Sequence, residues 1–131
     1  MSNDTLNLEI LARIKAIGVS GLAPEFIGMG PLYATRKLLQ RAGLTIGDID
    51  IMEINEAFAS HSIACVRELG IDMARVNLDG GAMAMGHPLA ANEARITGKA
   101  AQLLRREGGR YAIATQCTAR GQGVAPCWKP V

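Results

Sequence analysis

The chain has 131 residues, 49% of them hydrophobic and 20% charged, which is enough for one domain with a buried core and is the balance of a soluble globular protein. A net charge of +2, with both signs interspersed, argues against a nucleic-acid partner. The three cysteines, at positions 65, 117 and 127, match neither a disulfide framework nor a zinc pattern, so no metal is expected and the expected setting is reducing and cytoplasmic. No apolar run approaches the roughly 20 residues of a membrane span. The start, Met1-Ser-Asn-Asp-Thr5, lacks a basic segment followed by an apolar one, so no signal peptide is expected.

Residues 1–7 are polar and are expected to be a frayed tail, with one domain over 8–131. Leu8 to Gly18 fits helix and strand periods in part and is assigned as a strand. Gly21 to Gly30 reads as a loop. Pro31 suits the first turn of a helix that Gly43 ends, with Ala34, Leu38, Leu39 and Ala42 as its apolar stripe. Ile46 to Ile54 predicts a buried strand. A second helix is expected from Glu56 to Leu69, ended by Gly70. Val76 to Leu78 reads as a very short strand and Gly80 to Gly86 as a tight connection. A third helix is expected from Pro88 to Glu107, stopped by Gly108 and Gly109. Tyr111 to Cys117 is a strand, Thr118 to Gln122 a turn, and Gly123 to Lys129 the last strand, with Pro126 pointing to a sheet edge. The order is βαβαβαββ. It predicts an α/β domain with a mixed but mostly parallel sheet, helices on both faces and a terminal hairpin.

Three polar residues fall at expected strand ends, where ligands of open α/β sheets bind. Asn55 is either the cap of the second helix or a ligand-facing amide. His87 either caps a helix start or holds an acyl oxygen or activates a thiol. The glycines before it, Gly80, Gly81 and Gly86, allow close backbone approach. Cys117 is either a small buried hydrophobe or an acid–base group. Cys65 and Cys127 read as core, and His61 as solvent-facing among Ser60 and Ser62.

Asn55-Glu-Ala-Phe58, Gly80-Gly-Ala with Gly86-His-Pro-Leu89, and Cys117 followed by Gly121-Gln-Gly123 resemble, in order and spacing, the C-terminal domain of the thiolases. Gly30-Pro31 through Lys37 and Gly109 through Thr115 resemble the same family. The resemblance implies the second of two similar βαβαβαββ halves, packed together through helices. It implies that His87 helps to activate a nucleophilic cysteine and, with Asn55 acting through a water, forms an oxyanion hole. It implies that Cys117 shuttles a proton to and from coenzyme A or an α-carbon. The backbone N–H of Ala119, and the glycine geometry at Gly86, would serve oxyanion binding. Coenzyme A or an acyl-CoA would be a substrate, with no tightly bound cofactor. The acylated cysteine belongs to the N-terminal half, and none of the three cysteines here stands in its motif. The expected partners are therefore a chain carrying that half and a second copy of this chain, with acyltransferase activity only in complex with the N-terminal half. The alternative is a non-catalytic domain that binds an acyl-CoA or a protein.

Two segments depart from the family. Its Ile/Leu-Gly-Ala-Ser-Gly is Leu89-Ala-Ala-Asn-Glu93 here, and Arg95 is the expected partner of Glu93. Its Cys-x-Gly-Gly-Gly is Cys117-Thr-Ala-Arg-Gly121, where a left-handed backbone at Ala119 would be disfavoured.

Overall fold

The computed structural model describes residues 8–131, so the polar tail lies outside the described residues. Four strands form one sheet: β1 (Arg13–Gly21), β2 (Ile51–Ile54), β3 (Ala112–Thr118) and β4 (Gln122–Lys129). Their order is β1-β4-β3-β2. The sheet is mixed, but the mostly parallel pairing expected is corrected. β1 with β4 and β4 with β3 are antiparallel, and only β2 with β3 is parallel. The terminal hairpin explains this, because it places β4 between β3 and β1.

Pro126 therefore lies inside the sheet and not at its edge. It faces Ile17 of β1. On the other side the ladder pairs Ile113 with Cys127 and resumes at Gln116 with Val124. The gap spans Pro126, which has no N–H to donate.

Helix α1 (Gly30–Ala42) begins with Pro31 near its start and ends on Gly43 in the left-handed conformation, as its sequence predicts. It lies close on the sheet because glycines make room. A Cβ at Gly18 would stand 2.1 Å from the Ala34 carbonyl, and one at Gly123 2.1 Å from the Gly30 carbonyl. These glycines serve helix–sheet contact and not turns. A 3-10 segment, Pro24–Met29, precedes α1 inside the stretch expected to be loop.

β2 is shorter than expected because a 3-10 turn, Ile46–Asp48, occupies the first part of that stretch. The Asp48 carboxylate holds the turn by accepting from both the backbone N–H and the hydroxyl of Thr45. Helix α2 spans Ala59–Leu69 and closes on Gly70. The expected strand at 76–78 reduces to a single bridge between Met52 and Val76. The expected connection at 80–86 contains a one-turn helix, α3 (Ala82–Met85). Helix α4 (Asn92–Arg106) starts four residues later than expected. Pro88 to Ala91 forms a turn first, in which the Ala91 N–H donates to the Pro88 carbonyl at 2.9 Å.

Side chains alternate across the sheet. Met52, Ile54, Ile113, Ala125 and Cys127 pack under α1 and α2 with Leu38, Cys65 and Val66. Ile51, Ala112 and Ala114 pack under α4 with Ile96, Leu103 and Leu104.

Candidate active site

β2 and β3 run side by side, and the chain leaving each carries a polar residue. The Asn55 N–H donates to the Thr115 carbonyl at 2.9 Å, so Asn55 lies against β3 two residues before Cys117. Asn55 is 2% exposed. It does not cap α2, since Asn55 to Phe58 stays non-helical and the cap position falls on Phe58. Its side chain turns instead toward His87. The amide nitrogen and His87 Nε2 are 3.2 Å apart. With the amide as donor, Nε2 accepts and the ring proton sits on Nδ1. The contact is direct, so a water serving an acyl oxygen would sit beside the pair and not between its members.

Gly86 controls the approach to His87. It ends α3 with φ 89° and ψ 163°, a region open essentially to glycine alone. Its N–H donates to the Ala82 carbonyl at 2.8 Å. The structure thus brings together Asn55, His87 and Gly86.

Cys117 is half-buried, near the end of β3 and on the face covered by α1 and α2. Burial pushes its thiol up from the ordinary value, so it holds its proton at neutral pH. Burial also raises the Cys65 thiol, and the nearby Cys117 adds to that rise. Cys65 and Cys127 are fully buried and belong to the core, as expected.

His61 is not solvent-facing. Both ring nitrogens are buried without a partner, and burial lowers its basicity. Its Cβ packs against Gly28, 2.9 Å from where a Cβ on that glycine would stand. The 3-10 segment before α1 covers this side of α2, which local sequence does not reveal.

Two residues went unnoticed as site components. Asn77 and Glu56 join the end of β2 to α3 through their side chains. The signal available is the place of Glu56 inside the Asn55-Glu-Ala-Phe58 motif and of Asn77 shortly before Gly80 and Gly81. The segments that carry the pair also expose apolar side chains. Phe58, Met83, Met85 and Leu89 are exposed, Leu89 by 83%.

The whole of residues 8–129 matches the family model "Thiolase, C-terminal domain". The chain belongs to the thiolase family. It is similar to a 3-ketoacyl-CoA thiolase of Vibrio cholerae, 48% identical over 123 residues, which are 92% of this chain and 32% of that protein. It is also 48% identical over 116 residues to the 3-oxoadipyl-CoA/3-oxo-5,6-dehydrosuberyl-CoA thiolase of Escherichia coli, covering 87% of this chain and 29% of the other. Among solved structures, human mitochondrial 3-ketoacyl-CoA thiolase in complex with CoA superposes with a TM-score of 0.93 at 41% identity, covering 98% of this chain and 33% of that one. A Bacillus anthracis acetyl-CoA acetyltransferase gives 0.92 at 37% identity, with the same coverage. The chain thus spans about a third of the length of these thiolases.

The segments that depart from the thiolase pattern are accommodated locally. Glu93 is exposed and accepts from Gln116 Nε2, not from Arg95. Arg95 instead donates to Asn92 Oδ1 at 2.8 Å. The left-handed backbone falls at Arg120 (φ 64°) and Gly121 (φ 79°) and not at Ala119. Ala119 therefore keeps an ordinary conformation, and the strain expected there moves to the arginine. No helix among the described residues is long and apolar enough to cross a membrane.

Proposed function

We propose that this thiolase domain contributes Asn55, His87 and Cys117 to the active site of a CoA-dependent acyltransferase that cleaves or forms 3-ketoacyl-CoA. The nucleophilic cysteine comes from a thiolase N-terminal half on another chain. The observation that carries the reading is the direct Asn55–His87 contact, on segments whose apolar side chains Phe58, Met83, Met85 and Leu89 are exposed. Exposed apolar side chains gathered on such segments mark surfaces that another body covers.

In the cleavage direction His87 Nε2 exchanges its bond from the Asn55 amide for the proton of the attacking thiol as that sulfur adds to the keto carbon of the substrate. The carbonyl oxygen becomes an oxyanion and is held by hydrogen bonds at the His87–Asn55 pair. The bond to the α-carbon then breaks. Cys117, protonated because burial disfavours its thiolate, gives its proton to that carbon and releases acetyl-CoA, leaving the shortened acyl group on the enzyme cysteine. Cys117 next recovers a proton from the incoming coenzyme A thiol, whose sulfur takes the acyl group from the enzyme cysteine. The Ala119 N–H, on a non-left-handed residue beside Cys117, is available to the second oxyanion.

The test mixes the chain with a thiolase N-terminal half and follows thiolysis of acetoacetyl-CoA. Cys117→Ala in the mixture is expected to lower kcat on the order of 100-fold or more, as loss of an acid–base group does. An unchanged rate in that variant removes Cys117 from the mechanism. A second reading, a non-catalytic domain binding acyl-CoA or a protein, is favoured by one observation. Arg120 is exposed and left-handed beside the Cys117 turn, adding charge near the site. It predicts a stable complex with no thiolysis at all.

A further inference from the structure

The short contact between Asn55 and His87 joins two segments that arrive from different directions. Asn55 follows β2 directly. His87 follows α3, a single turn that leaves the sheet region after the Met52–Val76 bridge. A one-turn helix has too few internal hydrogen bonds to hold its own orientation. Something must fix it relative to β2.

The side chains of Asn77 and Glu56 connect the two. Asn77 sits one residue beyond the bridge, with φ 47°, a left-handed conformation that asparagine tolerates better than most residues. Its backbone N–H donates to the Met52 carbonyl at 2.9 Å, continuing the ladder on the edge of β2. Beyond that point its side chain replaces a strand. Oδ1 accepts from the Ile54 N–H at 2.9 Å, and Nδ2 donates to the Ile54 carbonyl at 3.0 Å. Nδ2 also donates to Glu56 Oε1 at 2.8 Å. The other carboxylate oxygen, Oε2, accepts from the Met83 N–H at 2.8 Å. Met83 is in the first turn of α3, where the N–H groups lack partners within the helix and a negative charge is favourable.

Each bond dictates the polarity of the next. The Ile54 N–H needs an oxygen, so the amide of Asn77 has one orientation. Its nitrogen then faces Glu56, which as a carboxylate accepts on both sides. The fit is close. A Cβ on Gly81 would stand 2.5 Å from Glu56 Oε2 and 2.6 Å from Asn77 Nδ2, so glycine is required where the chain passes the pair.

We propose that Asn77 and Glu56 are positioning residues, forming a clamp between the end of β2 and α3 that holds His87 against Asn55. The proposal rests on the thiolase reading for its catalytic consequence but not for its structural content. Neither residue touches the reacting atoms. Their role is to make the Asn55–His87 geometry a property of the folded domain before substrate arrives.

The polarity of the clamp supplies its test. Glu56→Gln places an amide NH₂ against either the Asn77 amide or the Met83 N–H. Asn77→Asp places one carboxylate against another. The double variant reverses both. The new amide at position 56 then donates to the new carboxylate at position 77 and accepts from the Met83 N–H, while the Ile54 carbonyl loses its donor and faces a carboxylate oxygen.

Two measurements read the result. In the chain alone, NMR of the Asn55 side-chain amide and the His87 ring nitrogens is expected to shift in each single variant and to return toward wild type in the double. In the complex with the N-terminal half, each single variant is expected to lose roughly 10- to 100-fold in kcat, the scale of a small misplacement of catalytic groups. KM changes little, and the double recovers most of the loss. Asp48→Ala, which removes the carboxylate holding the 3-10 turn before the opposite end of β2, serves as the control for simple destabilisation and keeps kcat. The clamp is refuted if the NMR signals of Asn55 and His87 stay fixed in folded single variants, or if the double is no better than the worse single. If wild-type complex shows no thiolysis, the functional reading fails while the NMR result still decides the clamp.

Discussion

The two faces of the sheet are finished to different degrees. On one, α1 and α2 cover the sheet from edge to edge. Leu38, Ile49, Met52, Cys65, Ile113, Ala125 and Cys127 are all fully buried there. On the other, α4 covers β2 and β3 and stops. The β1–β4 register sets Ile14 beside Trp128, Ile17 beside Pro126 and Val19 beside Val124. Val124 and Pro126 line the groove of about 260 Å³ next to α4, so these paired residues share its side. Ile14, Ile17 and Val19 remain 55%, 45% and 44% exposed. The half-covered face also holds Glu53, 1% exposed with neither oxygen partnered. The first face explains why the domain folds. The second has the form of an interface, with apolar strand residues exposed beside a helix and a buried carboxyl below it.

The largest effect should appear on the finished face. Leu38→Ala removes a fully buried side chain under α1, and a loss of about 3 kcal/mol is expected in denaturant unfolding, the usual cost of such a cavity. A loss below about 1 kcal/mol would mean that this face is less tightly packed than its burial indicates.

Glu53 gives the next effect. Burial pushes its carboxyl up to about 7 from 4.5, although Lys99 and Arg95 act in the opposite direction. Between those values the unfolded chain gives up the proton that the folded chain keeps. Stability is therefore greatest below the unfolded value and declines as pH rises toward 7, by on the order of 3 kcal/mol in all. Glu53→Gln should flatten that profile and raise the melting temperature at pH 8. A profile with the same slope in the variant would assign the pH dependence elsewhere.

A smaller effect is expected at the site itself. Gly86→Ala puts a side chain where φ is 89° and should cost about 1–3 kcal/mol locally, read as faster amide exchange in α3. Unaltered exchange would show that the turn can relax without strain.

The smallest effect on folding comes from the open face. Ile17→Ala should change the stability of the isolated chain by less than about 0.5 kcal/mol, as exposed substitutions do. The same change should weaken association with an N-terminal half, measured by calorimetry. Equal affinity in both proteins would place the interface elsewhere.

Local signals made much of this architecture legible. Pro31 and Gly43 mark α1, Gly70 ends α2, and Asn55 lies at the end of β2 as its sequence position indicates, whereas His87 reaches it from α3 and not from a strand end. Contacts between distant segments were not legible. Pro126 is tolerated inside the sheet because the β3 ladder skips it, which depends on pairing across the hairpin. Val76-Asn-Leu78 resembled a strand because a short apolar run carries no information on its partner. Asn77 acts through bonds to residues more than twenty positions away. The start of α4 moved to Asn92 because a turn from Pro88 competes with helix, and proline at a helix start and proline in a turn look alike in sequence. The cover over His61 comes from the segment before α1, which the residues around His61 do not encode.

The most direct test is a titration of a thiolase N-terminal half into this chain, with thiolysis of acetoacetyl-CoA as the readout. The account predicts saturable activity that neither component has alone, lost with Cys117→Ala and weakened by Ile17→Ala at subsaturating partner. A complex that forms with the nucleophilic cysteine in place, yet cleaves no substrate, would contradict it.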